Sequence, residues 1–283
     1  MIGPQIEAVA VIVPARDEQD CILPCLRSIR RALNRLPVGI ATAVTIVLDR
    51  CTDRTPDCVG ALIEGWPQAS ALRVAAVGGR RAGTAAGPEP AHIVAGSGVG
   101  AVRDLGIRHA LVRLAAHPSA ATWVLNTDAD TTVAPDWALA HLTLANAGAC
   151  GVAGLAELAD TAVLSPDARR RYRALVVDGL DGDRHRHVYG ANLGVRADAY
   201  LRVGGFPADG AGEDHGLWNR LCSGGYPLVQ PTAVRVRTSA RTCGRAPGGL
   251  ADLLRTLHGA STTDPATSHR QAAPPGWAPA RGG

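Results

Sequence analysis

The chain has 283 residues, of which 46% are hydrophobic and 4% aromatic, and its formal net charge at pH 7 is +4. This length allows one large α/β domain, and the composition is ordinary for a globular protein. The 29 residues counted as Lys or Arg are all Arg. Phosphate-binding P-loops and pyridoxal-phosphate enzymes both need a Lys, so the sequence excludes these two classes.

Hydropathy and charge distribution narrow the choice further. No stretch approaches the roughly 20 uncharged apolar residues of a membrane span, and residues 1–14 lack the basic start of a signal peptide. We therefore expect a cytoplasmic protein without an integral membrane segment, with peripheral membrane contact left open. The basic residues are dispersed and aromatics are few, which argues against nucleic-acid binding.

The first half of the chain alternates strand-like and helix-like patterns. Predicted strands cover Ala8–Pro14, Ala43–Leu48, Leu72–Val77 and Thr122–Leu125. Predicted helices cover Cys21–Leu36, Pro56–Glu64, Gly98–Ala116 and Pro135–Ala147. This order predicts an α/β fold with a mainly parallel central sheet and helices on both faces, the α/β/α sandwich typical of nucleotide-binding domains.

The second half has a weaker pattern. We expect a strand over Gly151–Ala156, helices over Pro166–Val176 and Glu213–Cys222, and an extended segment over Leu228–Val236. The polar stretch Asp178–His187 is typical of a loop. From about Ser261 onward, small and polar residues predict disorder.

Acidic residues follow three of the predicted strands. They are Asp17 and Glu18 after the first strand, Asp49 and Asp53 after the second, and Asp128 and Asp130 after the fourth. Ligands of such sheets gather beyond the carboxyl ends of the strands. Like charges brought together there cost free energy unless a cation or hydrogen-bond donors offset them. The sequence therefore predicts a ligand and cation site at this edge.

The motif with the strongest chemical signal is Asp128-Ala-Asp130, directly after a buried strand. In extended backbone, residues two apart point to the same side. Mn²⁺ or Mg²⁺ typically takes one or two carboxylates together with phosphate oxygens. We interpret both Asp residues as cation ligands, and the motif alone leaves a solvated turn open. Asp49 could accept hydrogen bonds from a base or ribose, whereas Asp53 belongs to an ordinary helix start.

Several motifs together resemble family 2 glycosyltransferases with the GT-A fold. Three resemble nucleotide-side elements, each with one altered position: Val11–Glu18 with Asp17 in place of Asn, Asp49–Asp53 with Leu48 in place of the preceding Asp, and Ala101–Gly106 with Asp104 in place of Asn. Asp128–Asp130 matches the metal motif. The acceptor-side elements follow in the family's order as Gly190–Gly194, Gly204–Phe206 and Gly212–Asp214.

The resemblance implies a role for each matching position. Nucleoside binding would fall to Pro14, Ala15, Arg16, Glu18 and Asp49. Arg103 would lie near the nucleotide or its phosphates, Asp128 near the ribose and the metal, and Asp130 on the metal. Glu213 and Asp214 would form the catalytic pair, with Asp214 as the general base. The alternative for this pair is helix capping after a Gly-rich loop.

Two further positions carry hypotheses. Asn192 could bind the donor sugar or the acceptor, with a turn residue as the alternative. Arg237, Arg241 and Arg245 form a basic stripe, and we expect this segment to fold over the donor so that Arg241 contacts the diphosphate. The alternative is a solvated strand edge. His185, His187, His215 and His258 are candidate third metal ligands, of which none is assigned.

The implied reaction is metal-dependent transfer of a sugar from a nucleotide-diphosphate donor to an acceptor hydroxyl, with inversion. The acceptor is unidentified, either a small molecule or a lipid-linked one. We expect one domain over residues 1–260, with a nucleotide-sugar-binding half over 1–130 and an acceptor-binding half over 131–260. A disordered tail would cover 261–283.

Other functions compete with this one. Gly96–Ala101 has the shape of a dinucleotide-binding fingerprint, which favours an NAD(P)-dependent oxidoreductase. About three predicted strands precede it, however, whereas the fingerprint normally opens the first βαβ unit. A nucleotidyltransferase would also use paired Asp residues, but Pro14–Asp20 lacks the Gly-rich loop expected there. A non-catalytic nucleotide-binding module is a further alternative, because three motif positions are altered.

Overall fold

A computed structural model describes residues 4–74, 98–208, 212–244 and 249–259. Several predictions fall wholly or partly outside these ranges. They are the disordered tail over 261–283, the end of the third strand over 75–77, the start of the fingerprint at Gly96, and Arg245.

The described residues form strands and helices that alternate through the first half of the chain. The strands are β1 Ala8–Ala15, β2 Ala41–Asp49, β3 Ala69–Val74, β4 Thr122–Asn126, β5 Thr131–Val133, β6 Gly151–Ala153, β7 Leu155–Ala159, β8 Leu180–Asp181, β9 Arg184–His185, β10 Leu193–Arg196, β11 Leu228–Val229 and β12 Arg235–Ser239. The helices are α1 Ile22–Leu33, α2 Thr55–Ile63, α3 Val99–Arg113, α4 Trp137–Asn146, α5 Pro166–Asp178, α6 Ala197–Arg202, α7 Glu213–Ser223 and α8 Leu250–Gly259.

The central sheet has the strand order β11-β6-β10-β4-β1-β2-β3. Strand β1 pairs in parallel with β2 and β4, and β2 pairs in parallel with β3. Strand β10 runs antiparallel to both of its neighbours. The predicted mainly parallel sheet is therefore confirmed, and the carboxyl ends of β1, β2 and β4 meet at one edge.

Alternating side chains of the sheet pack on helices above and below it. Val9, Val11 and Val13 of β1 join the apolar residues of α1, α2 and α4 on one face. Ala8, Ala10 and Ile12 join those of α3, α6 and α7 on the other. Both sets are fully buried, as the two-residue period of a strand requires when both faces are covered. The predicted layers of helix on both faces are confirmed.

Two helices show how sequence patterns fit these layers. The buried residues of α1 recur at helical spacing, from Ile22 through Cys25, Leu26 and Ile29, so α1 turns one apolar stripe to the sheet. Helix α3 approaches the sheet closely because Gly106 has no side chain. A Cβ there would lie 2.8 Å from Val47 Cγ2 and 2.9 Å from Ile12 Cγ2.

A second sheet of three strands, β5-β12-β7, stands beside the carboxyl edge of the first. Strand β12 runs antiparallel to β5 and parallel to β7. Helices α5 and α8 pack together through Ala168, Tyr172 and Leu254. None of the helices in the described ranges combines the length and the apolar character needed to cross a membrane.

The structure differs from the prediction mainly in the second half. The predicted strand Gly151–Ala156 is divided between two sheets, because Gly154 lies against the Asn192 side chain where the chain leaves β6. The predicted loop Asp178–His187 contains the hairpin β8–β9, which turns at Gly182 with φ 59°. The predicted extended segment Leu228–Val236 is two short strands in different sheets. Strand β10 and helix α6 were not predicted because each is short. Helix α8 was not predicted although Leu250, Leu253, Leu254 and Leu257 recur at helical spacing.

Candidate functional site

A cavity of about 650 Å³ opens at the carboxyl edge of the central sheet. Its walls come from the ends of β1, β2 and β4, the starts of α3 and α7, and the segment between β12 and α8. It gathers eleven of the twelve predicted site residues: Pro14, Ala15, Arg16, Glu18, Asp49, Arg103, Asp128, Asp130, Glu213, Asp214 and Arg241. Predicted site residues from both ends of this set, Pro14 and Arg241, therefore line the same cavity.

Charge in this cavity is unbalanced. Its described walls carry six carboxylates, from Glu18, Asp49, Asp128, Asp130, Glu213 and Asp214. They carry four guanidinium groups, from Arg16, Arg50, Arg103 and Arg241. The formal sum is −2, so binding of a cation would relieve repulsion among the acids.

The turn after β1 is braced by Asp17. Its φ of 52° is left-handed, and its Oδ1 accepts hydrogen bonds from the backbone N–H groups of Thr52 at 2.6 Å and Asp53 at 3.2 Å. The bond from Thr52 is the main cause that lowers the Asp17 pKa, against an opposing effect of burial. Asp17 thus ties the turn after β1 to the turn after β2, which places Glu18 and Asp49 in the same cavity.

Asp49 ends β2 and is paired with the residue that follows it. Arg50 donates from Nε to Asp49 Oδ1 at 2.7 Å and from Nη2 to Oδ2 at 2.9 Å. Arg50 has a left-handed φ of 50° and also lines the cavity. Arg50 was not among the predicted site residues, although an Arg directly after the last Asp of a strand places a positive charge at the same sheet edge.

Arg103 lies between two acids of the cavity. Its Nη2 donates to Asp128 Oδ1 at 2.5 Å and its Nη1 to Glu213 Oε1. Burial of the Arg103 side chain tends to lower its pKa, but Asp128, Glu213 and Asp214 outweigh that effect and hold the pKa above its usual value. The guanidinium therefore contacts protein carboxylates at the place where the resemblance implies the nucleotide or its phosphates.

Arg241 makes a second bridge between acids. Its Nη1 and Nη2 each donate to Glu18 at 2.7 Å, and Nη2 lies 3.0 Å from Asp130 Oδ2. The segment after β12 therefore reaches across the cavity to the turn after β1, instead of lying as a solvated strand edge. Burial is the main cause that raises the Asp130 pKa to about 6, while Arg241 opposes it and Asp128 and Glu18 add to it.

Asp214 lies at the start of α7 and points into the cavity wall. Its Oδ2 accepts a hydrogen bond from Gly190 N–H at 2.9 Å, and its Oδ1 accepts one from His215 N–H at 2.8 Å. Burial raises the pKa of both Glu213 and Asp214, and Arg103 opposes the shift. Acids in a first helical turn are also favoured by the helix dipole. Both residues thus lie in the first turn of α7 after the N-cap Gly212, and both line the cavity; their catalytic role stays a prediction.

Asn192 is the predicted site residue that the structure does not bring to the cavity. Its side chain is fully buried, and Nδ2 donates to Leu155 O at 2.9 Å and Val234 O at 3.1 Å. Its Oδ1 accepts from Trp137 Nε1 at 2.9 Å and His141 Nε2 at 3.1 Å. With both amide atoms engaged by the protein, Asn192 braces the wall behind the cavity, and the predicted contact with donor or acceptor is corrected.

The four candidate histidine ligands lie away from the cavity walls. His187 stacks on Tyr189 with 5.6 Å between ring centroids and on His185 with 5.9 Å. His258 accepts a hydrogen bond from Ser165 N–H at 3.2 Å. None of the four candidates, His185, His187, His215 and His258, lines the cavity.

A cation at Asp128 and Asp130 would need further oxygen ligands. Among the His, Cys, Asp and Glu side chains that the structure describes, three ligand atoms lie within 4.8 Å of one another only at Asp17, Cys51 and Asp53. That group already uses Asp17 Oδ1 to brace the two turns. The remaining ligands of a cation held by Asp128 and Asp130 would therefore be phosphate or water oxygens, as is usual for Mg²⁺.

The Gly run that favours an oxidoreductase has a packing explanation at its described end. A Cβ on Gly100 would lie 2.1 Å from Pro207 O and 3.0 Å from Glu213 Cβ. A side chain at position 100 would therefore push the start of α3 away from α7. Gly100 keeps Arg103 and Glu213 within reach of each other, which explains a Gly here without a dinucleotide.

Comparisons with known proteins agree with this architecture. No protein-family model and no curated protein sequence matches the chain. The mannosyltransferase PcManGT from Pyrobaculum calidifontis, in complex with GDP-Man and Mn²⁺, is similar in structure with a TM-score of 0.54 and 20% identity over 91% of this chain and 71% of that one.

Two other solved structures are similar over 88% of this chain at 12% identity. S. aureus TarS 1–349 in complex with UDP-GlcNAc has a TM-score of 0.53 and is covered over 65% of its length. GalNAc-T7 with UDP, GalNAc and Mn²⁺ has a TM-score of 0.57 and is covered over 48%. The chain thus spans less than two thirds of both. The likeness confirms the predicted GT-A glycosyltransferase fold.

Proposed function

We propose that this protein is a glycosyltransferase that moves a sugar from a nucleotide-diphosphate donor to an acceptor hydroxyl with the help of a divalent cation. The observation that carries the proposal is one cavity in which carboxylates from β1, β2, β4 and α7 converge. The GT-A fold supports it, as do the nucleotide sugars and Mn²⁺ named for the similar structures. Membership of family 2 and the division into halves over 1–130 and 131–260 form part of the proposal.

The chemistry of the cavity fits Mn²⁺ or Mg²⁺. The excess of carboxylates over guanidinium groups on the described walls favours a bound cation. Asp128 and Asp130 supply the hard oxygen ligands that such ions prefer. When bound, the cation supplies a positive charge that neutralises the departing diphosphate.

The protein's own groups divide the donor between them. The turn of Pro14, Ala15 and Arg16 and the Asp49–Arg50 pair offer acceptors and donors for the nucleoside. Arg241 offers a planar fork suited to diphosphate oxygens when it leaves Glu18 and Asp130. These groups would fix the donor with its sugar toward α7.

Asp214 is the proposed general base. The N–H groups of Gly190 and His215 hold its two oxygens in a defined orientation at the start of α7. Burial raises its pKa, which makes the ionised carboxylate a better proton acceptor for a hydroxyl. Glu213 is engaged by Arg103 and has a supporting role beside it. A base on the side opposite the leaving group gives inversion.

The acceptor would enter along Val188, Tyr189, Leu250 and Ala251, which line the rest of the cavity. This mixed apolar wall suits a small molecule or the head of a lipid-linked acceptor. We propose a cytoplasmic location, with contact at a membrane surface where the acceptor is lipid-linked.

The test is a panel of nucleotide sugars with Mn²⁺, measuring nucleoside diphosphate release and sugar transfer. Asp214→Asn should lower turnover by about a thousandfold and leave donor binding within about threefold. Asp167→Asn, an acid of α5 paired with Arg170, is the matched control and should behave as wild type. Stabilisation by NAD(P)H without an effect of any nucleotide sugar would favour the oxidoreductase instead.

A further inference from the structure

Arg103 joins carboxylates that belong to opposite sides of the proposed reaction. Asp128 follows β4 and would hold the cation, whereas Glu213 opens the helix that carries the proposed base. Arg103 contacts them with separate nitrogens, Nη2 to Asp128 Oδ1 at 2.5 Å and Nη1 to Glu213 Oε1. One rigid guanidinium thus sets the spacing between the two.

The surroundings of Arg103 leave the guanidinium no alternative position. Its side chain is 4% exposed, and its Cζ lies 5.7 Å from the centre of the Phe206 ring. A Cβ on Gly190 would be 2.6 Å from both Nη1 and Nη2, so the backbone at Gly190 packs directly against the guanidinium. The same Gly190 donates its N–H to Asp214.

The contacts of Arg103 also distribute charge between the neighbouring acids. The bond to Asp128 engages Oδ1, and the Asp128 side chain remains 35% exposed where it lines the cavity. The bond to Glu213 pairs that carboxylate with the guanidinium, whereas Asp214 accepts hydrogen bonds from the N–H groups of Gly190 and His215. A positive charge 2.5 Å from Asp128 also opposes a cation on the same carboxylate.

We propose that Arg103 is a positioning residue that fixes the distance between the cation-holding carboxylate and the helix carrying the base, at the cost of weaker cation binding. The inference rests on the proposed function for its kinetic part. Its electrostatic part concerns Mn²⁺ binding alone and is independent of turnover.

The decisive variant is Arg103→Gln, tested for Mn²⁺ binding without nucleotide by electron paramagnetic resonance and for turnover with the active donor. Mn²⁺ should bind at least about threefold more tightly, because the opposing charge is gone. The kcat should fall at least about a hundredfold while donor KM changes by less than about threefold, because positioning is lost. A merely structural role would weaken Mn²⁺ binding in parallel with turnover.

Arg103→Lys is the second variant, because it keeps the charge and protects folding. A Lys is a single point charge and cannot form the two-armed bridge. Its kcat should fall at least about tenfold while Mn²⁺ affinity stays within about twofold of wild type. Arg108→Gln on the same helix, where Arg108 pairs with Asp104 and is largely exposed, is the matched control and should change neither quantity.

The outcomes separate the inference from the proposed function. An unchanged kcat in Arg103→Gln, or weaker Mn²⁺ binding in a variant whose circular dichroism is that of wild type, would overturn the positioning role. If the wild type turns over no nucleotide sugar, the proposed function fails, and the sign of the Mn²⁺ change alone decides the electrostatic claim.

Discussion

Two arginines in the cavity each bridge a pair of carboxylates, but they differ in solvent exposure. Arg103 on α3 bridges Asp128 and Glu213, with 4% of its side chain exposed. Arg241 bridges Glu18 and Asp130 from the segment after β12, with 28% exposed. The two Asp residues of the Asp128-Ala-Asp130 motif are thus each neutralised by a different guanidinium.

The difference indicates which bridge can be exchanged. Arg103 packs against Gly190 and Phe206, so the guanidinium could leave Asp128 and Glu213 only if these neighbours moved. Arg241 is 28% exposed and lies in the segment after β12, so a diphosphate could take the place of the carboxylates beside Arg241 while a cation takes the place of Arg241 beside Asp130. We expect Arg103 to act through structure and Arg241 through ligand binding.

The largest effect should come from comparing Arg103→Met with Arg241→Met in denaturant unfolding. Breaking a buried ion pair leaves uncompensated charge, so Arg103→Met should lower the free energy of unfolding by about 3–5 kcal/mol. Arg241→Met should lower it less, by about 1–3 kcal/mol, because Arg241 is 28% exposed although Glu18 and Asp130, which would lose this guanidinium, are only 7% and 11% exposed. Equal losses in the two variants would contradict the distinction between a fixed and an exchangeable bridge.

A second buried contact, between His141 and Asn192, should make the stability of the protein depend on pH. His141 is fully buried against Asn192, and burial lowers its pKa from 6.5 to about 4, against an opposing effect of the hydrogen bond to Asn192. Between pH 6.5 and about 4, His141 is protonated in the unfolded chain but stays neutral in the folded protein. Stability is therefore complete above pH 6.5 and falls as the pH drops toward 4, by up to about 3 kcal/mol for this group.

The measurement is the free energy of unfolding between pH 7.5 and 4.5 for wild type and His141→Gln, in which the amide can still donate to Asn192. The variant should lose part of the slope between pH 6.5 and 4.5. His258→Gln, at an exposed position, is the control. An unchanged slope in His141→Gln would show that the proton is taken up elsewhere.

The smallest effect concerns the exchangeable bridge. Arg241→Ala should raise donor KM about tenfold, equivalent to about 1.4 kcal/mol, with little change in kcat, because one diphosphate contact is lost. Arg237→Ala is the matched control, since Arg237 is exposed on β12 and does not line the cavity. A donor KM that stays at the wild-type value would remove Arg241 from donor binding.

The nucleotide side of the site could be predicted because its signals are local. Each acid follows a buried strand, and parallel strands bring their carboxyl ends to one edge, so Glu18, Asp49 and Asp128 could be assigned to one cleft. The same argument extends to Asp130 at the end of the motif.

The bridges themselves could not be predicted from local patterns. Arg103 and Glu213 are 110 residues apart, and Arg241 and Glu18 are 223 apart. Only the packing of α3 on α7, with Gly100 between them, brings the first pair together. Asn192 was assigned to the ligand for the same reason, because its partners on α4, on β7 and before β12 are all distant in the sequence. Arg50 was not predicted, although it directly follows Asp49, the acid at the end of β2 that was assigned to the nucleoside.

The central claim is that Asp130 and its neighbours hold a cation together with the pyrophosphate of a nucleotide sugar. Calorimetric titration of UDP- and GDP-sugars into wild type and Asp130→Asn, each with Mn²⁺ and with EDTA, tests this claim most directly. Asp136→Asn, an exposed acid at the start of α4, is the control. We predict that Mn²⁺ strengthens binding of at least one donor by about tenfold or more in wild type and in the control, and that Asp130→Asn loses this gain. A donor affinity that is the same with Mn²⁺ and EDTA, in wild type and variant alike, would contradict the account.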